Sequence, residues 1–331
     1  MGFDPYWSEF NLLPLIRPSG TFSRQEGLEK AERIVFSRFF QREKVPEGRM
    51  RGSKLNSDQY GSKPMLTEQD IATYRINGAT VVRNLFSPAE IALLEHGIAE
   101  NMGSPSPLAI VASRPEDPGY FIEDFCNWQR ISAYKRFIYG TRAAEVAGRL
   151  MGSRQVRLYH DHLLAKEPKT QAKTPWHQDQ PYYNIDGFQN ISMWLPVDPV
   201  AQEASLRLVA GSHREGWLMP RSFMNNEAKW FPEGSLKDLP DIDGNPDKFE
   251  ILSWDLQPGD AVFFHMLTLH GAGGVGNGNR RRVVSFRFMG EDTTHAPRKW
   301  RTSPPFPGLE ERLPAGAKMQ GDEFPLLWEK S

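Results

Sequence analysis

The chain has 331 residues, of which 39% are hydrophobic and 11% aromatic, enough for one large globular core or two smaller ones. Its formal net charge is -1, so no overall field would recruit nucleic acid or an anionic membrane, and we expect a small-molecule partner. The single cysteine, Cys126, excludes an internal disulfide framework. There is no signal-peptide pattern and no apolar run of about 18 residues, so we expect a cytoplasmic protein.

The first predicted elements are an arm and several helices. Residues 1–66 have no sustained apolar period, and we expect an extended arm that wraps the domain or joins a second copy in a homo-oligomer. A helix is predicted after Thr67, where a threonine and an aspartate three residues later form a capping-box pattern. A second helix is predicted after Ser87, because a serine cap precedes a proline at the first helical position. A strand is predicted over 79–83 and a further helix over 141–151.

After Gln155 the sequence changes to short runs of β-forming residues separated by turns. No helical pattern of useful length interrupts them, which favours an antiparallel sandwich or barrel over a parallel α/β sheet. The clearest predicted strands are 156–164, 191–196, 206–209, 260–270 and 281–289. We therefore predict an all-β core with flanking helices.

This core is expected to form one domain over residues 67–290. The segment over about 214–250 is long for a connection and contains tryptophans and prolines, which is typical of a lid or a binding loop. Residues 291–331 are expected to form a C-terminal extension that packs on the domain.

Two histidines and an aspartate carry the main chemical signal. His177 and Asp179 are two residues apart, and side chains at that spacing point the same way in an extended strand, so both could bind one ion. His270 follows a buried-strand pattern and precedes a glycine, which suits a third ligand. Two imidazoles and one carboxylate on one face of an octahedron leave positions for substrate and oxygen, as in non-haem Fe(II) oxygenases. A His-x-Asp pair is also common by chance, and either histidine could instead cap a turn.

An arginine run at 280–282 follows a glycine-rich turn after His270. We predict a hairpin that returns Arg281 beside the strand of His270. Arg281 would share a face with Ser285 and point into the barrel, where a buried guanidinium needs an anion. A carboxylate held bidentately, with help from the Ser285 hydroxyl, would supply that anion. The neighbouring arginines would face the other way and be solvated.

The remaining histidines have competing interpretations. His160, His162 and Glu167 resemble the His-x-His and Glu metal pattern of cupins, but the glycines that frame that motif are missing. A different use is that His162 and Lys166 lie on the inward face of one strand and touch a co-substrate or its water. His265 lies on the opposite face from the proposed third ligand and is expected to be structural.

Taken together, these motifs resemble the phytanoyl-CoA dioxygenase family over about residues 67–290. The resemblance is carried by Trp176-His177-Gln178-Asp179, by Phe263-Phe264-His265 followed by His270-Gly271, and by Arg281 eleven residues after the second histidine. It implies a double-stranded β-helix, a cupin-like jelly roll, that uses Fe(II), 2-oxoglutarate and O2. It implies His177, Asp179 and His270 as iron ligands and Arg281 as the partner of the distal carboxylate. By position it places Gln178, His162 and Trp194 in the co-substrate pocket.

The resemblance also implies an activity. Related halogenases leave the carboxylate position empty for chloride, whereas Asp179 fills it here, which favours a dioxygenase that hydroxylates or otherwise oxidises a C–H bond and releases succinate and CO2. A small polar or anionic metabolite is the expected substrate, and the side chains that could bind it, or merely decorate the surface, are Arg287, His295, Arg298 and Trp300. A non-catalytic relative that binds the same ligands is an alternative. A zinc hydrolase is a weaker one, because no residue resembles a positioned general base.

Overall fold

The computed structural model describes residues 66–221, 230–276 and 279–331. The expected arm over 1–66 therefore lies outside the described residues, except for Leu66. Part of the expected lid, 222–229, also lies outside them.

Helices flank the β core, and the sequence predicted several of them correctly. They are α1 (Glu68–Asn77), α2 (Pro88–Gly103), α3 (Ser132–Gly140), α4 (Ala143–Met151) and α5 (Leu309–Arg312). Both predicted caps are capping boxes: the Thr67 hydroxyl accepts from the backbone of Asp70, the Ser87 hydroxyl accepts from the backbone of Glu90, and each carboxylate bonds back to the cap. The helix predicted over 141–151 is confirmed as α4, whereas the sequence reading did not identify α3.

Within the described residues, fourteen strands pair in three antiparallel sheets. The strands are β1 (Ala79–Val82), β2 (Ile110–Val111), β3 (Phe121–Phe125), β4 (Gln155–Lys166), β5 (Thr174–His177), β6 (Ile185–Asp186), β7 (Asn190–Pro196), β8 (Leu206–Val209), β9 (Ile251–Leu252), β10 (Ala261–His265), β11 (His270–Ala272), β12 (Arg281–Met289), β13 (Thr294–His295) and β14 (Leu326–Glu329). The large sheet has the order β1-β10-β7-β12-β4-β3-β2, and β14 also pairs with β4. The small sheet has the order β5-β11-β8-β9, and β13 pairs with β6.

The two larger sheets share an apolar core. Trp194, Val262 and Phe264 from the large sheet form one buried cluster with Leu206 and Leu208 from the small sheet. The opposite face of the large sheet packs against the helices in a separate cluster. This arrangement of two facing antiparallel sheets with helices outside confirms the predicted all-β core and the cupin-like jelly roll.

The strand predicted over 260–270 is wrong in one respect, because the chain changes sheets inside it. β10 belongs to the large sheet and β11 to the small sheet. Between them the chain turns, and the backbone N–H of Thr268 donates to the carbonyl of His265 at 2.8 Å. The continuous apolar run conceals this turn, since residues on both sides of it are buried.

The predicted hairpin between His270 and Arg281 is also wrong. β11 pairs with β5 and β8, whereas β12 pairs with β4 and β7. The glycine-rich segment is therefore a crossing between sheets and not a hairpin turn. Arg281 still reaches the end of β11, because its Nη1 lies 3.4 Å from the carbonyl of Gly273.

The C-terminal residues complete the fold. β14 pairs with the first part of β4, and β13 pairs with β6. Phe324 and Met319 pack in a buried cluster with Tyr159 of β4. These contacts place the segment after β12 against the end of the barrel where β4 begins.

Candidate metal centre

Three potential metal ligands converge where β5 ends and β11 begins. His177 and His270 are cross-strand partners, and their Nε2 atoms lie 3.6 Å and 3.7 Å from Oδ1 of Asp179. One ligand atom from each residue lies within 4.8 Å of the others. Within the described residues, no other group of three His, Cys, Asp or Glu side chains comes together in this way. The cupin-type alternative built on His160 and His162 is therefore wrong.

Asp179 reaches the site by a route that the sequence did not predict. β5 ends at His177, and Asp179 has helical backbone angles of φ -74° and ψ -47° at the start of a 3-10 turn over Gln180–Tyr182. The argument from strand alternation was therefore wrong, although the two side chains do meet. The turn is held because the backbone N–H groups of Asp179 and Gln180 both donate to the carbonyl of Met266, at 2.8 Å and 3.0 Å.

Hydrogen bonds to backbone carbonyls orient both imidazoles. Nδ1 of His177 lies 2.8 Å from the carbonyl of Pro175, and Nδ1 of His270 lies 2.9 Å from the carbonyl of Thr268. A carbonyl only accepts, so each Nδ1 carries the hydrogen and each Nε2 presents a lone pair toward Asp179. Burial, followed by the neighbouring His177, lowers the pKa of His270 to about 3, so this ring is neutral and suited to bind a cation.

The carboxylate of Asp179 is fixed by two residues of the large sheet. Its Oδ2 accepts from Ser192 Oγ at 2.9 Å and faces Arg287 Nη2 at 3.4 Å, while Oδ1 faces the histidines. Burial alone would raise the pKa of this carboxyl, but the charge of Arg287 outweighs that effect and holds its pKa well below the usual range. The carboxylate is therefore ionised. Together the three residues offer two ring nitrogens and one negatively charged oxygen to a divalent cation.

Sequence reasoning missed this role of Arg287. The residue had been considered only as a substrate contact or a surface group, yet it is buried at 5% exposure and binds a metal-ligand candidate. Strand alternation could have indicated this role, because it places Arg287 on the same inward face of β12 as Ser285 and Arg281.

Gln178 lies between the two ligands but points elsewhere. Its amide nitrogen donates to the carbonyls of Gly216 and Leu267, both at 2.8 Å, and its amide oxygen accepts from the backbone N–H of Leu218 at 2.8 Å. The side chain thus joins the ligand turn to the start of the long segment that follows β8. The expected contact with a co-substrate is not among these bonds.

Farther along the same inward face, two buried cations lie side by side. Arg281 and Lys166 are cross-strand partners, and both donate to the carbonyl of Gly273. Arg281 also donates to the carbonyl of Ala204, and its guanidinium lies 5.6 Å from the ring centre of Trp194. Within the described residues, neither cation forms an ion pair with a carboxylate.

Burial without an anion depresses both pKa values. Desolvation lowers the pKa of Arg281 to about 10. Desolvation, and then repulsion from Arg281, lowers the pKa of Lys166 from 10.5 to about 7. Buried positive charge of this kind is unfavourable unless an anion accompanies it, so the pair suits a bound carboxylate.

Between the metal ligands and these cations lie polar atoms that lack partners. Ser285 is the cross-strand partner of both Trp194 and His162. Ser285 Oγ and Arg281 Nε are buried, with no hydrogen-bond partner in the part of the chain that the structure describes, whereas His162 Nε2 lies 3.6 Å from Glu123 Oε2. His162 stacks on Phe125 with ring centres 4.0 Å apart. We call His162, Ser285, Lys166 and Arg281 the inner polar strip, which could satisfy the oxygen atoms of a dicarboxylate.

The other expected substrate contacts are mainly structural. His295 Nδ1 lies 2.6 Å from the carbonyl of Leu313. Arg298 donates to the carbonyls of Tyr183 and Ile185 and pairs with a surface aspartate. Trp300 takes part in an aromatic stack and not in a polar contact to the metal ligands.

The described part of the expected lid approaches the site through aromatic rings. Trp230 stacks on Trp300 with ring centres 5.5 Å apart, and it meets Tyr182 edge-on at 4.9 Å. Tyr182 in turn meets the ring of His177 at 6.2 Å. Residues of the long segment thus lie one aromatic ring away from a metal-ligand candidate. His265, by contrast, bonds to backbone groups of Phe188 and Leu267, as expected of a structural histidine.

Fold and site together define a class, the cupin-like jelly rolls with a facial set of two histidines and one carboxylate. The comparison with known families is more specific. Residues 74–283 match the sequence model of the family described as phytanoyl-CoA dioxygenase (PhyH), and the chain belongs to this family.

Individual relatives are distant. A "probable phytanoyl-CoA dioxygenase" of Caenorhabditis elegans is 23% identical over 252 residues, covering 69% of this chain and 77% of that protein. A "phytanoyl-CoA dioxygenase, peroxisomal" of Mus musculus is 23% identical over 241 residues, covering 70% of this chain and 64% of that protein. Identity at this level supports family membership and leaves the substrate open.

Solved structures share the fold. The α-ketoglutarate-dependent carbocyclase SnoK from nogalamycin biosynthesis matches with a TM-score of 0.62 and 20% identity, over 79% of this chain and 96% of that one. The epimerase SnoN, solved with Fe3+, α-ketoglutarate and nogalamycin RO, matches with a TM-score of 0.62 and 22% identity, over 78% of this chain and 98% of that one. No helix of the described residues is long and apolar enough to cross a membrane.

Proposed function

We propose that the protein is an Fe(II)- and 2-oxoglutarate-dependent dioxygenase that hydroxylates or otherwise oxidises a C–H bond of a small polar metabolite and releases succinate and CO2. The observation that carries the proposal is the convergence of His177, Asp179 and His270 beside an inward sheet face that also holds two buried cations, Arg281 and Lys166, without a carboxylate partner in the described residues. A metal site alone would suit many chemistries. A metal site facing two buried cations suits a metal that works with a dicarboxylate.

The donor set fits Fe(II). Two imidazoles and one carboxylate are the donor set typical of non-haem iron oxygenases, and the remaining coordination positions would be open to other ligands. His177, Asp179 and His270 would hold the ion. Bound iron supplies oxygen activation coupled to oxidation of the 2-oxo acid, which no side chain can supply. Ser192 and Arg287 would keep one carboxylate oxygen of Asp179 aimed at the ion.

The inner polar strip would bind 2-oxoglutarate. Arg281 would pair with the distal carboxylate, and Lys166 would add charge in the same place. Ser285 and His162 would donate or accept hydrogen bonds along the molecule, and Trp194 would form its apolar wall. Gln178 would not contact 2-oxoglutarate directly. It would position the turn that carries Asp179 by holding it against the backbone at 216–218.

The choice of hydroxylation or a related oxidation rests on Asp179. A carboxylate at this position occupies the place that a halide would need on the metal, so halogenation is disfavoured. Epimerisation and ring closure belong to the same α-ketoglutarate-dependent chemistry, as in the epimerase SnoN and the carbocyclase SnoK. The substrate determines which outcome follows hydrogen abstraction.

Oxygen-dependent succinate formation tests the proposal. Purified protein with Fe(II), ascorbate and 2-oxoglutarate should form succinate slowly in air and not under nitrogen. His177→Ala and His270→Ala should abolish it, whereas His96→Ala, on the exposed face of α2, should not. Succinate formation that survives in the two ligand variants would contradict the assignment.

The same assay separates the alternatives. A non-catalytic relative would bind metal and 2-oxoglutarate in calorimetry but form no succinate. A zinc hydrolase would act without oxygen and without iron. It would be inhibited by a chelator that removes zinc. The zinc hydrolase gives the buried Arg281 and Lys166 no evident use.

The organisation of the whole chain completes the proposal. We assign residues 67–290 to the dioxygenase domain, about 214–250 to a lid, and 291–331 to an extension that packs on the domain. The partner is a small molecule, and the arm over 1–66, outside the described residues, would mediate any homo-oligomer. A cytoplasmic location is proposed, and imaging of a tagged chain would distinguish it from the peroxisome named for the mouse relative.

A further inference from the structure

A buried tyrosine, Tyr183, follows the candidate ligand Asp179 on the same short segment. It comes directly after the 3-10 turn over Gln180–Tyr182, and its backbone N–H donates to the carbonyl of Gln180 at 3.0 Å. Its side chain is 4% exposed. The turn that carries the carboxylate of the metal centre therefore also carries this tyrosine.

The hydroxyl of Tyr183 contacts the arginine that faces Asp179. Its oxygen accepts from Nε of Arg287 at 3.2 Å, and Nη2 of the same guanidinium lies 3.4 Å from Oδ2 of Asp179. Nη1 of Arg287 donates to the backbone carbonyl of Ser285 at 3.3 Å. Because a guanidinium is planar and its N–H groups have fixed directions, these three contacts together define its orientation.

Tyr183 is the one partner of Arg287 that a substitution can remove without changing the ligand set. Within the described residues, the side chains that hydrogen-bond to Arg287 are those of Tyr183 and Asp179. Ser285 contributes only its backbone carbonyl, which the pairing of β12 in the large sheet holds in place. The direction in which Nη2 points therefore depends on the Tyr183 hydroxyl.

Packing holds that hydroxyl in place. The Tyr183 ring meets His160 edge-on with ring centres 5.3 Å apart, and it lies 5.1 Å from the ring of Tyr159. Burial raises the pKa of Tyr183, the charge of Arg287 opposes this effect, and the charge of Asp179 adds to it. The hydroxyl therefore stays neutral at physiological pH, and its oxygen remains an acceptor for the guanidinium.

The orientation of Arg287 bears on how Asp179 binds an ion. Oδ2 of Asp179 accepts from Ser192 Oγ at 2.9 Å and faces Arg287, whereas Oδ1 faces the two histidines. An oxygen engaged by two donors is not free to bind an ion as well, so Asp179 would offer Oδ1 alone. Two imidazoles and one carboxylate oxygen then fill one face of an octahedron and leave the opposite face for other ligands.

We propose that Tyr183 is a positioning residue of the metal centre, which fixes Arg287 so that Asp179 binds the ion through one oxygen. This role deepens the proposed function and rests on its assignment of His177, Asp179 and His270 as metal ligands. It does not depend on 2-oxoglutarate or on the oxidation of a substrate, so measurements of metal binding test it separately.

Tyr183→Phe removes the hydroxyl and keeps the ring. Fe(II) should bind about tenfold more weakly in anaerobic calorimetry, as is typical when a group that orients a metal ligand is lost. Tyr159→Phe is the matched control, because this neighbouring buried tyrosine donates to Asn184 at 2.7 Å and, in the part of the chain that the structure describes, has no bond to Arg287 or Asp179. It should leave the Fe(II) affinity unchanged.

Urea unfolding of the metal-free protein checks that both variants are folded. Each variant loses one buried hydrogen bond, so similar losses of stability are expected. An Fe(II) affinity of Tyr183→Phe within about twofold of the wild type would overturn the proposal. An equal loss of affinity in Tyr159→Phe would also overturn it, because the effect would then follow from stability alone.

A double variant tests whether Tyr183 acts through Arg287. Arg287→Met retains no donor, so the group that Tyr183 positions is absent. Adding Tyr183→Phe to it should weaken Fe(II) binding by less than about threefold further, since coupled residues do not have additive effects. Independent effects would instead multiply, and a further loss of about tenfold would overturn the proposal.

The absorption of bound Co(II) gives a readout that a loss of stability would not change. Its visible bands depend on the number and arrangement of the ligands, so a second Asp179 oxygen at the ion would alter them. At saturating Co(II), the spectra of the wild type and Tyr159→Phe should coincide, and that of Tyr183→Phe should differ. Identical spectra in all three would overturn the claim that Tyr183 keeps Asp179 to one oxygen.

Succinate formation in the same preparations separates this role from the proposed function. If the wild type forms no succinate but Tyr183→Phe weakens Fe(II) binding as expected, the dioxygenase function fails and the positioning role stands. If succinate forms while Tyr183→Phe binds Fe(II) as the wild type does, the function stands and the positioning role fails.

Discussion

Replacing Arg281 by methionine separates binding of 2-oxoglutarate from stability of the fold. Methionine fills much of the same space, so the substitution removes the charge and the hydrogen-bond donors with little change in packing. If the guanidinium exists to pair with the distal carboxylate, the protein should lose affinity for 2-oxoglutarate and keep its stability. If the guanidinium is merely a structural element, the reverse should hold.

The expected magnitudes follow from the surroundings of Arg281. Burial lowers its pKa to about 10, and at about 1.4 kcal/mol per pKa unit the unpaired charge costs the ligand-free fold about 3 kcal/mol. The variant regains this but leaves the carbonyl of Ala204 without its donor, at about 1–3 kcal/mol. The two effects oppose each other, so the free energy of unfolding should change by less than about 2 kcal/mol. Removing one partner of a buried charge pair costs about 2–5 kcal/mol of binding, or on the order of 100-fold in affinity.

Two measurements check this, with the adjacent residue as a control. Urea unfolding of the ligand-free protein gives the stability, and calorimetric titration of 2-oxoglutarate into anaerobic Fe(II) protein gives the affinity. Arg282 faces the other way and pairs with Asp198 at 2.6 Å and with Glu95 at 3.0 Å. Arg282→Met should therefore lower stability by about 1 kcal/mol and leave the affinity unchanged.

The reasoning would be refuted if Arg281→Met kept the affinity of the wild type within about threefold. It would also be refuted if the variant lost more than about 3 kcal/mol of stability, since the guanidinium would then stabilise the ligand-free fold. A higher KM for 2-oxoglutarate with an unchanged kcat is the matching kinetic expectation.

Three further variants test other parts of the site. Burial lowers the pKa of Lys166 to about 7, so above that pH the unfolded state binds more protons than the folded state. The stability of the ligand-free protein should therefore rise between pH 7 and 9, and Lys166→Met should flatten that rise in urea unfolding. Arg287→Gln removes a partner of Asp179 and should weaken Fe(II) binding about 10–100-fold in anaerobic calorimetry, and an unchanged metal affinity would rule out that role. Gln178→Leu leaves two carbonyls and one N–H unpaired, so it should cost about 2–4 kcal/mol of stability and expose residues 214–218 to protease. If this segment stayed resistant to protease, Gln178 would not be what holds it in place.

Local patterns were the most predictable part of the molecule. Capping boxes at Thr67 and Ser87 involve residues three apart, so the sequence alone specifies them. The candidate ligands His177, Asp179 and His270 were also identified, because a facial metal site uses few residue types and two of the three lie only two residues apart. Their convergence was predicted for a partly wrong reason, since Asp179 lies in a turn and not in the strand.

Long-range register was the part that the sequence could not specify. The run over 260–270 reads as one apolar strand because both of its halves are buried, although they belong to different sheets. Arg287 meets Asp179, and His160 lies opposite Arg287, only because β4, β12 and β7 pair in one register. A shift of one residue would turn these side chains to the helix-covered face. Such a register depends on the packing of the whole sheet.

The central claim is that His177, Asp179 and His270 hold one iron ion beside a bound 2-oxoglutarate. The most direct test is an anaerobic titration of 2-oxoglutarate into Fe(II) protein, followed by the visible charge-transfer absorption of an Fe(II)–2-oxo acid chelate. The account predicts an absorption band that saturates at one 2-oxoglutarate per chain, that is absent with Zn(II), and that is lost in His270→Ala. A wild-type protein that binds Fe(II) but shows no band, or a band that persists in His270→Ala, would contradict it.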